Sequence, residues 1–170
     1  MNTARRLFET YHPAVFRFLH RMTGRRVVAE DLLQETFLRV VRARPESRIE
    51  GRERAWLFRI ARNVVLTRRR GDARRPRPAA LEEEPAGSAA APPLENLALE
   101  QALARLRDDH REAFLLREVG GLGYDEIASA CDVTPDAVRN RIYRARQELR
   151  AVLAAGPRGE VRRFPKEKTT

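Results

Sequence analysis

Tyr124-Asp125-Glu126-Ile127-Ala128-Ser129-Ala130-Cys131-Asp132-Val133-Thr134-Pro135-Asp136-Ala137-Val138-Arg139-Asn140-Arg141-Ile142 is the stretch on which the reading of this chain turns. A short helical run from Tyr124 to Cys131 is followed by a turn at Asp132-Val133. A second helix then opens with Thr134 at an N-cap position and Pro135 in the first helical position, where its missing N–H costs nothing. Helix, tight turn and capped helix in that order give a helix-turn-helix, whose second helix can enter a DNA major groove. Ile127, Ala128, Val133, Val138 and Ile142 form the expected inner face, and Ala128 is small enough to let the two helices approach.

Continued along the second helix, Val138, Ile142, Ala145, Leu149 and Val152 point inward and leave Asp136, Arg139, Asn140 and Tyr143 on the outer N-terminal face. Arg and Asn offer the bidentate donor patterns that fit guanine and adenine edges, so these are the candidate base readers. Arg141, Arg144 and Arg146 are placed for phosphate. Charge marks the same helix: residues 101–136 hold four Arg against eight acids, whereas residues 137–150 hold five Arg against Glu148 alone. The competing reading is an arginine-rich solvated face.

Upstream, Pro76 to Pro93 contains five prolines and almost no large apolar residue, so it cannot bury a core and reads as a linker. The expected organisation is residues 1–75, linker 76–94, residues 95–155 and a basic tail 156–170. Each module is small enough that three or four helices would exhaust its core. In the first, Leu7, Tyr11, Val15, Phe18, Leu19 and Met22 keep helical spacing, with a break at His12 and Pro13 restarting a helix. A second helix from Val27 to Ala43 has Leu33, Phe37, Val40 and Val41 on one face. A third, from about Arg52 to Arg70, has Leu57, Ile60, Ala61 and Val64 inward. In the second module Leu94 to Leu106 is helical, and Asp109 with Glu112 forms a capping pair for a helix ending at Val119 before Gly120-Gly121-Leu122-Gly123. The fold class is therefore all-α, two small helical domains with a helix-turn-helix in the second.

Net charge is +10 and unevenly placed: residues 1–78 carry 20 basic and 8 acidic side chains, and residues 79–100 carry five Glu and no base. A first half this basic faces a polyanion, with nucleic acid the leading candidate. The modules are expected to be mutually mobile unless Glu82-Glu83-Glu84 folds back onto that basic surface. A single cysteine, Cys131, excludes an internal disulfide, and His12, His20 and His110 share no metal-ligand spacing with it, so neither metal nor cofactor is expected. No phosphate loop or nucleophile motif is present, which argues against an enzyme. Without a signal-like or eighteen-residue apolar run, the expected location is cytoplasmic, with no membrane contact of its own.

Opposite the apolar face of the second helix, Asp31, Gln34, Glu35 and Leu38 fall at i, i+3, i+4 and i+7, mixing acceptors with an apolar residue as a docking face for a basic protein would. A plain solvated face is the alternative. The segment Ala29-Glu30-Asp31-Leu32-Leu33-Gln34-Glu35-Thr36-Phe37-Leu38-Arg39 resembles the polymerase-docking segment of extracytoplasmic-function sigma factors. Ala55-Trp56-Leu57-Phe58-Arg59-Ile60-Ala61-Arg62-Asn63 resembles the helix that engages the minus-10 promoter element, and Gly123 to Arg146 resembles the minus-35-reading module. The three lie in the family's order and cover nearly all of residues 5–153.

The resemblance implies a sigma factor that binds the RNA polymerase core and directs initiation at specific promoters. Asp31, Gln34, Glu35 and Leu38 would face the polymerase. Arg48, Arg52, Trp56, Arg59, Arg62 and Asn63 would serve minus-10 DNA, Trp56 either stacking at the melted strand or packing between helices. Thr134, Asp136, Arg139, Asn140, Arg141, Tyr143 and Arg144 would serve minus-35 DNA. Partners implied are RNA polymerase core, promoter DNA and an anti-sigma factor. Gly123 stands where the family usually has a Ser cap, and Asp132 where Gly is common in the turn; both are compatible with those positions. The rival is a conventional helix-turn-helix regulator with a sensory N-terminal half, which would bind duplex DNA by itself.

Overall fold

Apolar residues at helical spacing build a first unit of three helices, α1 (Thr3–Thr23), α2 (Arg26–Ala43) and α3 (Glu53–Arg74). A second unit holds α4 (Leu94–Arg105), α5 (Asp108–Glu118), α6 (Tyr124–Cys131) and α7 (Pro135–Ala154). The structure is a computed structural model that describes residues 3–43, 49, 51–74 and 94–155; those residues contain no strand. Arg48, most of the linker with its Glu82-Glu83-Glu84 run, and the tail 156–170 lie outside the described residues.

Three expectations for the first unit are corrected. α1 is continuous through Pro13 instead of breaking at His12. Proline removes the donor that Glu9's carbonyl would have met, yet Leu7 before it and Val15, Phe18 and Leu19 after it are all fully buried. One uninterrupted helix is what places both sets on a single buried stripe. His12 adds a local tie, its ring stacked on Phe8 at 4.7 Å and Nδ1–H donating to the Phe8 carbonyl at 2.9 Å.

In α2 the buried face is Ala29, Leu32, Thr36, Phe37 and Val40, while Leu33 is half-buried and Val41 is 56% exposed. Thr36 belongs to the core because its hydroxyl donates to the Leu32 carbonyl at 2.7 Å, which satisfies the polar group inside its own helix. In α3, Phe58 is buried and Ile60 only partly so. Phe58 meets the Phe18 ring edge-on at 5.6 Å on one side. On the other it lies so close to Gly120 that a Cβ there would come within 3.2 Å of its ring and 2.6 Å of the Leu116 carbonyl.

The second unit therefore does not hang free. α4 and α5 pack on α1, and α6 packs on α3, so that one apolar core runs through both units. Ion pairs cross the same boundary: Arg21–Glu100 at 3.3 Å, Arg69–Asp108 at 3.4 Å and Arg62–Glu112 at 2.8 Å. In this structure the two units, expected to be mutually mobile, are packed against each other. Acids do fold onto the basic first unit, and the described ones that do so belong to α4 and α5.

Within the second unit the capping role expected of Asp109 with Glu112 is also corrected. α5 starts at Asp108 after Arg107, with no side-chain cap, and Glu112 is 6% exposed and turned toward α3. The turn after α5 passes through Gly121 at φ +66, a left-handed position that glycine takes without strain, and the Leu122 N–H returns to the Leu116 carbonyl at 3.1 Å.

Candidate nucleic-acid and protein interfaces

The helix-turn-helix forms as its sequence dictates. Glu126 accepts from the Gly123 N–H at 2.7 Å at the start of α6, and Asp132 ends it in the left-handed region at φ 56, with Val133 N–H returning to the Ala128 carbonyl. Thr134 Oγ1 then accepts from Ala137 N–H at 3.2 Å, with Pro135 in the first turn of α7. Ile127, Val138 and Ile142 are buried to within 1% exposure, Ala128 is buried and Val133 half-buried, which fixes the angle between the two helices.

This packing leaves Asp136, Arg139, Asn140, Tyr143 and Arg144 exposed on one side of α7. Asp136 pairs with Arg139, whose guanidinium also sits 5.4 Å from the centre of the Tyr124 ring; Arg117 lies 4.9 Å from the same ring. Gln147 Nε2 donates to the Tyr143 hydroxyl at 2.7 Å. Arg141 is half-buried and 3.7 Å from Asp109, so it is tied to α5, and Arg146 pairs with Glu118 at 2.7 Å.

Arg107 was missed by the sequence reading. A groove of about 570 Å³ runs between the start of α5 and α7, and Arg107 lines it together with Asn140, Arg141 and Arg144. No spacing in the sequence connects residue 107 to residue 144, so only the tertiary fold reveals the neighbourhood. Asp109 accepts from both Arg107 Nε and Nη2, at 3.2 and 3.3 Å, which orients the guanidinium.

On α2, Asp31, Gln34 and Leu38 are exposed, and Glu35 is half-exposed in an i,i+4 pair with Arg39 at 2.7 Å. Val27 and Val41 are exposed too, at 55% and 56%. Val27, Asp31, Gln34, Leu38 and Val41 alternate steps of four and three, so the face is a full-length stripe with apolar ends. Extending the helical period one turn each way would have found both valines.

The α3 candidates divide. Arg52, Trp56 and Arg59 line a cleft of about 550 Å³, closed on its far side by Asp125, Glu126, Ser129 and Ala130 of α6. Trp56 is half-buried and packed on the core while still facing that cleft. Asn63 is exposed. Arg62 is turned inward, 15% exposed, with Nη2 donating to Glu112 Oε2 at 3.2 Å and Nε lying 2.8 Å from Oε1 off the line of a good hydrogen bond. Cys131 Sγ donates to the same Glu112 carboxylate at 3.6 Å. Burial pushes the Cys131 thiol up to about 11, with the Glu112 charge acting in the same direction, so it stays a proton donor at neutral pH.

A three-helix unit with an exposed mixed polar and apolar stripe on α2, joined to a four-helix unit bearing a capped helix-turn-helix, has the build of a two-module nucleic-acid-binding protein. Residues 7–75 match the family Sigma-70 region 2, and residues 96–149 match Sigma-70, region 4. The chain is 36% identical over 151 residues to RNA polymerase sigma factor CarQ of Myxococcus xanthus, covering 86% of this chain and 87% of that one. It is 39% identical over 127 residues to ECF RNA polymerase sigma factor SigC of Mycobacterium tuberculosis, covering 72% and 69%. Among solved structures, RpoE in complex with the anti-sigma factor NepR, from Bartonella quintana, superposes with a TM-score of 0.69 at 24% identity over 92% of this chain and 99% of that one. CnrH in complex with the cytosolic domain of CnrY gives 0.67 at 26% over 90% and 88%.

The chain belongs to the sigma-70 family, in its extracytoplasmic-function class. It binds RNA polymerase and promoter DNA and directs promoter-specific transcription initiation, the role of a non-catalytic initiation factor. That membership displaces the conventional-regulator reading. No described helix is long and apolar enough to cross a membrane.

Proposed function

We propose that residues 1–75 dock the polymerase core and recognise and melt minus-10 DNA, that 76–94 link the modules, that 95–155 recognise minus-35 DNA, and that 156–170 form a basic tail. Asp31, Gln34, Glu35 and Leu38 hold the polymerase. Arg48, Arg52, Trp56, Arg59, Arg62 and Asn63 serve the minus-10 strand, where a ring and guanidinium groups suit unstacked bases and their backbone. Arg139, Asn140, Asp136 and Tyr143 read minus-35 base edges, while Arg144, Arg141 and Thr134 anchor phosphate. Arg107 joins the phosphate anchors across the groove from Arg144.

The observation that carries this reading is the face of α7. Its inner residues are buried against α5 and α6, so Arg139, Asn140, Tyr143 and Arg144 stand together on the one side open to a groove. The test is promoter selection by polymerase reconstituted with this protein: base preferences at minus-35 change with Arg139 and Asn140 substitutions, and unchanged preferences in both would remove the assignment. An anti-sigma factor is a further proposed partner, supported by the complex in which the structurally similar RpoE occurs. The protein acts in the cytoplasm without chemistry of its own.

A further inference from the structure

One basic pocket uses none of the residues proposed above for DNA or polymerase. It has a volume of about 330 Å³ and lies where the start of α2 and the last turns of α3 meet the start of α5. Arg25, Arg68, Arg69 and Arg111 line it against two carboxylates, Asp72 and Asp108, so two positive charges are in excess. Its size falls at the lower end of the range for small-molecule sites, about 300–1,000 Å³. Buried Leu32 and Val65 form part of the lining, and beside them the repulsion among the guanidinium groups is screened less than on an open surface.

The pairing inside the pocket leaves donors over. Asp72 accepts from Arg68 Nε at 3.3 Å, and Asp108 is shared between Arg111 and Arg69, the latter at 3.4 Å. Arg69 Nη2 also donates to the Met22 carbonyl at 2.9 Å, which fixes its fork against the end of α1. Arg111 is 12% exposed, and its Nε is buried with no acceptor among the described residues. A buried donor of this kind is destabilising until an acceptor reaches it. Two helix starts add to the positive field: α2, whose first turn carries no acid, and α5, which has no side-chain cap.

We propose that this pocket binds a compact, multiply charged phosphate ligand, a diphosphate that is either free or carried by a nucleotide. Guanidinium forks pair with phosphate oxygens two at a time, and arginine keeps its charge at any physiological pH. The ligand takes its contacts from α2, α3 and α5 together. A promoter backbone suits the site less well, because Arg111 lies in a recess and a duplex presents its phosphates on a convex surface.

The test is calorimetric titration of the full-length chain with inorganic pyrophosphate at fixed salt. One-to-one binding is expected, with affinity falling about tenfold in Arg25→Gln and again in Arg68→Gln, the scale of one charge-assisted hydrogen bond. Both residues are exposed, so the fold survives their replacement. Asp72→Asn, also at an exposed position, should act in the opposite sense and tighten binding, because it removes a competing carboxylate; a purely structural role for its pair with Arg68 predicts no such gain. Arg144→Ala, on the opposite basic face, controls for general attraction to a cationic protein and should leave the affinity unchanged. Adenosine diphosphate run beside pyrophosphate separates the two sources: tighter binding marks a nucleotide, equal or weaker binding the free diphosphate. Absence of pyrophosphate binding, or equal losses in Arg25→Gln and Arg144→Ala, overturns the site. So does a result in which Arg25→Gln and Arg68→Gln keep pyrophosphate affinity and weaken binding to random-sequence duplex, which assigns these arginines to the DNA backbone.

Discussion

The guanidinium of Arg139 lies 5.4 Å from the centre of the Tyr124 ring, joining α7, the second helix of the helix-turn-helix, to the first residue of α6. Asp136 pairs with the same guanidinium, so Arg139 is held before DNA arrives, which lowers the entropy lost on binding. Tyr124→Leu should weaken discrimination at the minus-35 base pair proposed for Arg139 by about 0.5–1 kcal/mol, the scale of an exposed cation–π contact. Tyr124→Phe, which keeps the ring, should match wild type in a competition-binding experiment with single-base promoter variants.

Base reading and phosphate anchoring should separate by salt. Arg139→Ala or Asn140→Ala should each cost about 1–3 kcal/mol of discrimination at one minus-35 position. Arg144→Ala and Arg107→Ala should weaken all sequences alike and each reduce the slope of log K against log salt by about 1. A slope unchanged in Arg107→Ala but reduced in Arg144→Ala would leave the groove with one anchor.

Charge reversal on α2 addresses polymerase docking. Asp31→Lys with Glu35→Lys should abolish assembly with core polymerase while leaving the thermal transition near that of wild type, because Asp31 is exposed and Glu35 gives up only a surface pair with Arg39. Val41→Asp should weaken assembly by the same route. Wild-type assembly by the Asp31/Glu35 variant would refute the docking face.

Asp132 is the one non-glycine residue with positive φ among the described residues. Asp132→Gly should stabilise the protein by up to about 1 kcal/mol, since an L side chain in the left-handed region carries a steric cost that glycine avoids. Asp132→Val should destabilise it. Chemical denaturation of the three proteins side by side checks the order.

Cys131 provides a pH signature. Its folded value, raised to about 11, exceeds the ordinary thiol value of 9.0, so the folded state holds the proton more tightly than the unfolded one. Its contribution to stability is therefore intact below pH 9 and declines as pH rises from 9 toward 11. Cys131→Ala should flatten that part of the stability profile. At neutral pH the thiol should react with a disulfide reagent far more slowly than in denatured protein.

The sequence by itself determined the two units, because the helical period of their apolar residues, the Thr134-Pro135 cap and the Gly120-Gly121 stop are local signals that need no partner to be read. Asp132 in the turn, the inner face of the helix-turn-helix and the exposed α7 residues were legible for the same reason. Local reading failed where a distant surface changed a residue's environment. Pro13 stays inside α1 because residues on both sides of it are buried together, and Thr36 enters the core because its own helix satisfies its hydroxyl. Glu112 has the spacing of a capping residue but goes to Arg62, fifty positions earlier in the chain. Phe58 is buried by a turn more than sixty residues downstream, and Arg107 lies beside Arg144 only after α5 has packed on α7. These placements depend on desolvation and charge pairing between elements remote in sequence, which no periodicity records; the tertiary structure alone decided that the acids of the second unit close over the arginines of the first.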